Sequence, residues 1–408
     1  MYNKKKIVND PVHGFISIPS ELHYDLMEHP YFQRLNRIKQ LGMSYLVYPG
    51  AQHTRFQHSL GAMHLMSEAI ATLRAKDNEI TEEEANGVLA AILLHDVGHA
   101  PFSHVLENTL TQGISHEDIS LLMMQQINKE MGGALDVAIQ IFRNQYPKKF
   151  LHQLVSSQLD MDRLDYLIRD SFFTGVVEGA VGSARIIKML NVQDDELVVE
   201  AKGLYSIEKF LIARRMMYWQ VYFHKTSVSA EQVLIKTLER AKELSRRGEE
   251  LFASPQFSYF LKNDVTKEDF MTSEEPLRHY AQFDDTDILS AMKVWENHDD
   301  KVLSILCRSL LNRHLFKMEV REHKPQKSEE QELVKKYAAL LGITEHEARY
   351  FVTLHPVSAY TYRPKDDSIQ VLYSDGELED ITDASDLLNL SLMSKHEKKY
   401  YFGYLRDK

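Results

Sequence analysis

The 408-residue chain carries one cysteine, Cys307, and only two tryptophans. A single thiol excludes an internal disulfide and a cysteine-rich zinc module, and it fits a reducing compartment. No run approaches the ~18 consecutive apolar residues of a membrane span. The basic start, Met1-Tyr2-Asn3-Lys4-Lys5-Lys6, lacks the apolar stretch that a secretory signal places next. Positive charge is also in deficit, since 48 Lys and Arg against 59 Asp and Glu leave a formal net charge of −11. That balance argues against general nucleic-acid binding, while leaving room for a local basic pocket. Internal repeats and low-complexity tracts are missing. These absences predict a soluble, cytoplasmic protein with no membrane partner.

What is present reads as a helical globular chain. Hydrophobic residues make up 44% and charged residues 26%, and the length allows a large core in about two or three domains. Residues 7–20 hold Asp10-Pro11, His13-Gly14 and Pro19, a loop with short extended pieces. From Glu21 to Gln40 apolar positions recur at helical spacing (Leu22, Leu26, Phe32, Leu35, Ile38), and Pro30 is predicted to divide the stretch into two helices. Further helices are expected over 59–74, from the Thr81-Glu82-Glu83-Glu84 capping box to His95-Asp96, from Ser115 onward, over 151–170, and from 205 to 247 and beyond. Residues 196–201, 369–373 and 400–405 read as strands. The predicted architecture is mainly α: a helical core over 1–320, a polar linker over 321–330, and a small α+β region over 331–408.

The chemistry concentrates early. His53, His58, His64, His95, His99, His104 and His116 place seven of the 19 histidines within 64 residues, about twice the density of an even spread. His95-Asp96 directly follows the apolar run 88–94, so a buried helix delivers an imidazole and a carboxylate to its own rim. Gly98 and Pro101 then break the helix and turn His99 and His104 back toward that point. Neutral imidazole with carboxylate is a ligand pair for a divalent transition metal. If residues 158–170 are helical, Asp162, Tyr166, Arg169 and Asp170 share one face, with Met161, Leu164, Leu167 and Ile168 opposite. Each piece has a bland alternative. A charged helix face is often just a wet surface, and His58 alone can be a satisfied half-buried histidine.

Taken in order, His58, His95-Asp96 and Asp162 resemble the H…HD…D pattern of the HD-domain metal-dependent phosphohydrolases. The similarity reaches further. Asn9-Asp10-Pro11-Val12-His13-Gly14, Phe32-Gln33-Arg34-Leu35, Ile38-Lys39-Gln40-Leu41-Gly42, Tyr48-Pro49-Gly50-Ala51 and Arg55-Phe56-Gln57-His58-Ser59-Leu60-Gly61 resemble the deoxynucleotide triphosphohydrolase (dGTPase-like) branch. It covers residues 6–230 and thins beyond 250.

The resemblance implies that His58, His95, Asp96 and Asp162 bind one divalent ion, with iron, manganese, zinc, nickel and magnesium all open. It implies that His116, oriented by Glu117, protonates the leaving group, and that His99 and His104 face the α-phosphate and its attacking water. Arg55, Arg163, Tyr166 and Arg214 would hold the triphosphate; Gln40, Leu41, Asp170 and Tyr222 would surround the deoxyribose. An activating nucleotide would use Lys6, Glu28, Gln33 and Asn36, in a homo-dimer or homo-tetramer. The chain departs from the branch at Glu107 (aspartate there), Arg163 (lysine), Phe223 (glutamine), Glu28 (aspartate) and Asn36 (arginine). The expected reaction is hydrolysis of a dNTP to deoxynucleoside and inorganic triphosphate. The rivals are hydrolysis of another phosphate ester, such as a nucleoside monophosphate or cyclic nucleotide, and a non-catalytic nucleotide-sensing module.

Overall fold

The computed structural model describes residues 6–102, 109–359, 368–385 and 397–406. The chain enters through a hairpin in which Ile7–Asp10 pairs antiparallel with Gly14–Ser17. Helices α1 (Glu21–Glu28) and α2 (Pro30–Gln33) follow. Pro30 divides them as expected, opening α2 at a position whose missing amide costs no hydrogen bond.

The core is built on α3 (Arg55–Arg74) and α4 (Glu82–Leu94). Helix α3 starts at Arg55, ahead of the expected 59, because Thr54 and Gln57 form a capping box. Helix α4 opens on the box of Thr81 and Glu84, and its residues 88–94 are all buried. Each large aliphatic side chain so buried contributes about 1.5–3 kcal/mol, which makes α4 the anchor of the domain.

Helix α5 (His116–Glu130) opens on Ser115 and Asp118, and α6 (Asp136–Phe142) packs against α4. One helix is expected over 151–170, but there are two: α7 (Lys149–Val155) and α8 (Met161–Thr174). Asp160 causes the break. Its carboxylate accepts the amides of Ser157 at 2.8 Å and Arg163 at 2.6 Å, so it closes the loop and caps α8. Helices α9 (Ser183–Met189), α10 (Leu204–Met217) and α11 (Lys225–Arg246) complete this part, with a π turn at Tyr218–Tyr222 between the last two.

The expected strand near 196–201 is Glu196–Glu200. It pairs antiparallel with Leu190–Gln193 and parallel with Gln370–Leu372, whose other edge takes Leu378–Asp380. The strand expected at 400–405 is Glu397–Tyr404, held between Lys317–Arg321 and Val352–Ala359. Both sheets cross the expected 321–330 boundary. That stretch contains the end of one strand and the start of the helix Lys327–Leu341, not a bare linker. Strand edges need partners, and here they find them across the boundary. Among the described residues no helix is long and apolar enough to cross a membrane.

Candidate metal centre and active site

Three helix ends converge. His58 and Asp162 lie in the first turns of α3 and α8, and His95 caps the C-terminus of α4. One nitrogen or oxygen from each of His58, His95 and Asp162 lies within 4.8 Å of the others. Nε2 of His58 is 3.0 Å and Nε2 of His95 3.6 Å from Oδ1 of Asp162. Asp96 stands beside this group, with Oδ1 3.3 Å from Nε2 of His95 and Oδ2 3.8 Å from Nε2 of His58.

The donor set fits a cation. His58 Nδ1 donates to Asp165 at 2.7 Å, and His95 Nδ1 donates to the Ile92 carbonyl at 2.6 Å. Each neutral ring therefore presents its Nε2 as a lone pair. Both Nε2 atoms are buried and find no hydrogen-bond partner among the described residues. A buried lone pair facing a carboxylate oxygen is repulsive unless positive charge lies between them. The basicity of His58 registers this need. Burial lowers it, but the Asp162 and Asp165 carboxylates on either side of the ring outweigh burial and push it up to about 10, so that without a cation the ring itself takes up the charge. A divalent ion satisfies the same demand, and one bound by His58, His95 and Asp162 suits the ligand chemistry.

The loop after α4 delivers the next pair. A Cβ on Gly98 would lie 2.3 Å from the His116 carbonyl, so only glycine lets the loop press against α5. Its amide donates to Ser120 Oγ, which donates in turn to the His95 carbonyl. That approach stacks His99 on His116 and leaves Nε2 of His99 3.2 Å from Asp96. Burial and the nearby Arg55 charge hold His99 well below the ordinary histidine range. His116 Nε2 sits 3.3 Å from Glu117, and Arg55 Nη1 is 2.5 Å from Oδ2 of Asp96. His104 and Glu107 lie outside the described residues.

A second cluster borders the first. Tyr166 is edge-on to His58, with ring centroids 6.5 Å apart, and to Tyr222 at 6.1 Å. Burial raises the Tyr166 phenol, against the pull of the Arg163 and Arg214 charges. Arg163 Nε donates to the Ser157 carbonyl at 2.6 Å, and Arg214 bonds Gln158 at 3.1 Å. The Tyr222 hydroxyl donates to Asp170 at 2.8 Å, and His53 takes the other carboxylate oxygen at 2.8 Å. Gln40 joins by backbone, its amide donating to the His53 carbonyl, and Leu41 packs on the core beside it. Phe223 stacks on Tyr218 with centroids 5.6 Å apart.

Of the four N-terminal positions, Lys6, Glu28 and Asn36 are exposed and Gln33 is half-buried. Lys6 donates to the Tyr24 hydroxyl, Gln33 donates to the Met27 carbonyl, and Asn36 donates to Gln33 at 3.2 Å; Glu28 is exposed. Residue reading alone missed Asp165, His13 and His53 as parts of the site. Asp165 sits three residues after Asp162, one turn along the same helix, which was the available signal. The wet-surface alternative for α8 is excluded, because Asp165, Arg169 and Asp170 are all buried.

Residues 55–170 match the family model described as HD domain, and residues 181–254 match the one described as HD associated region. The chain is similar to the crystal structure of a phosphohydrolase from Bacteroides thetaiotaomicron, with 59% identity and a TM-score of 0.96 over 99% of this chain and 100% of that one. It is 32% identical to the uncharacterized protein YwfO of Bacillus subtilis, over 99% of this chain and 93% of that protein. It is also 30% identical to a deoxynucleoside triphosphate triphosphohydrolase SAMHD1 homolog from Dictyostelium discoideum, over 66% of this chain and 56% of that protein. With the HD-domain match spanning His58, His95, Asp96 and Asp162, and relatives aligned over nearly its whole length, the chain belongs to the HD-domain phosphohydrolase family.

Proposed function

We propose that this phosphohydrolase acts on deoxynucleoside triphosphates, dGTP among them, and releases the deoxynucleoside and inorganic triphosphate. The observation that carries this reading is the convergence of the His99–His116 pair and the arginine-flanked Tyr166 on the His58/His95/Asp162 group. His58, His95, Asp96 and Asp162 would hold the divalent ion, and iron, manganese, zinc, nickel or magnesium suits them. When bound, such an ion neutralises phosphoryl oxygens and makes water more acidic.

The chain's own residues do the rest. Arg55, Arg163 and Arg214 supply forked donors that match phosphate oxygens. Water attacks the α-phosphorus near His99, and the bond from phosphorus to the 5′-oxygen breaks. His116, oriented by Glu117, gives its proton to that departing oxygen. Tyr222, Asp170, Gln40 and Leu41 border the sugar, and the ring of Tyr222 leaves no polar partner for a 2′-hydroxyl.

Association into a dimer or tetramer is supported by an apolar stripe on α10. Tyr205, Ile212 and Met216 fall on one face at helical spacing and are 66%, 42% and 38% exposed. Lys6, Glu28, Gln33 and Asn36 are the positions for an activating nucleotide. The deciding experiment presents the four dNTPs and four ribonucleotides, singly and in pairs, with each metal. Triphosphate as the released product supports the reading. Orthophosphate, pyrophosphate or no turnover overturns it in favour of another ester or a sensing module.

A further inference from the structure

Beneath the candidate ligands lies a buried network that the proposed chemistry does not use. Asp165 Oδ2 accepts from His58 Nδ1 at 2.7 Å, and its Oδ1 accepts from His13 Nε2 at 2.6 Å. Arg169 donates to both oxygens of the same carboxylate, Nε at 2.8 Å and Nη2 at 3.0 Å. It also reaches Asp10, with Nη1 2.7 Å from Oδ2. Asp10 in turn accepts the amides of Val12 at 3.0 Å and His13 at 2.8 Å, which shapes the turn of the N-terminal hairpin. Asp165 and Arg169 have no exposed surface, and the side chain of His13 is 8% exposed. The two helices approach closely enough that a Cβ on Gly61 would lie 2.0 Å from Asp165 Oδ1 and 2.2 Å from Arg169 Nη2. Nothing bulkier than glycine lets α3 meet this network.

The geometry points to His13 as a positioning residue of the metal centre, acting through Asp165 on the ring of His58. The proposal rests on the metal reading given above. Asp165 is a shared acceptor, so His13, Arg169 and His58 hold it from three sides and it cannot rotate away from His58. Its hydrogen bond selects the His58 tautomer whose Nε2 is a lone pair, and fixes where that lone pair points. Such outer partners of a ligating histidine are worth about 10–100-fold in metal affinity. The coupling is reciprocal, because two equilibria linked through one carboxylate shift each other by the same factor. A metal held by His58 therefore holds down the hairpin 7–17, and the hairpin sharpens the metal site.

The test uses the full chain stripped of metal and titrated with Mn²⁺ alone. His13→Ala should weaken Mn²⁺ binding by about tenfold, and His13→Gln, which keeps an N–H donor for Asp165, should recover most of it. Saturating Mn²⁺ should also slow amide hydrogen exchange across residues 7–17 of the unsubstituted protein by about the same factor. That arm decides the matter by itself if His13→Ala does not fold. Asp162→Ala separates the two layers: equal Mn²⁺ affinity in that variant and in the unsubstituted protein would refute the metal site itself. Asp162-dependent Mn²⁺ binding, with hairpin exchange indifferent to Mn²⁺ and His13→Ala binding at full affinity, would overturn the coupling and leave the metal site standing.

Discussion

The imidazoles of His99 and His116 stack with centroids 3.8 Å apart and planes 20° apart. Two rings this close cannot both carry charge without strong repulsion. Burial and the Arg55 charge hold His99 well below the ordinary histidine range, so the residue proposed as the acid is His116, which lies next to Glu117. His116→Ala should keep the metal and slow turnover at saturating substrate by about 10²–10⁴-fold, the usual contribution of a general acid. Rapid-quench rates beside metal analysis would check it; a loss under threefold would assign proton donation to another residue.

Asp162 lies against Nε2 of both His58 and His95. Asp162→Ala, or His95→Ala with Asp96→Ala, should abolish metal content and hydrolysis while far-ultraviolet circular dichroism stays helical. Full hydrolysis by metal-depleted Asp162→Ala protein would contradict the ligand set.

Tyr222 is pinned by its hydroxyl to Asp170, which is pinned by His53. Deoxynucleotides should therefore be hydrolysed in preference to ribonucleotides, and Tyr222→Ala should narrow the gap between dGTP and GTP. The measurement is kcat/KM for both nucleotides in both proteins. Equal values in the unsubstituted enzyme would remove Tyr222 from the sugar site.

Asp285 accepts the amides of Lys39 and Phe102, each at 3.0 Å, and so ties the Gln40 segment to the loop after His99. Burial pushes its carboxyl up to about 6, against those two amides and the Lys39 charge, with Asp284 adding to the rise. A raised carboxyl means the folded state binds more protons than the unfolded one between about pH 4 and 6. Its contribution to stability is thus greatest at the acidic end and falls by roughly 3 kcal/mol as pH rises through 6. Urea unfolding of the unsubstituted protein and Asp285→Asn from pH 4 to 8 should show their stability difference moving against the unsubstituted protein with rising pH. A difference that stays constant would mean Asp285 does not titrate in this window.

The α10 stripe and the N-terminal group make a paired prediction. Met216→Glu should shift the protein toward monomer in light scattering, with its helical content retained. Activation by a guanine nucleotide should be weak, or taken over by another dNTP, because Asn36 offers neither the charge nor the stacking plane of an arginine. Strong, strictly GTP-dependent activation that vanishes in Gln33→Ala would show that Asn36 costs little.

Features written in short stretches were legible without coordinates. Thr81 with Glu84 and Ser115 with Asp118 begin their helices as capping residues do, Pro30 separates α1 from α2, and the apolar run 88–94 delivers His95-Asp96 to a helix end. Local hydrogen bonds and hydrophobic periodicity act over a few residues, so sequence alone determines them. What tertiary structure decided lies at long separation. The break before Met161 depends on which amides the Asp160 carboxylate captures, and periodicity does not register that choice. The strand Glu196–Glu200 took a partner from 370–372, and Lys317–Arg321 took one from 397–404, because backbone donors recognise any extended neighbour. The charged face of α8 became a buried scaffold, not a wet surface, only because the hairpin brings Asp10 and His13 onto Arg169 and Asp165. Burial of a charge depends on which distant partners reach it, and that was settled by packing.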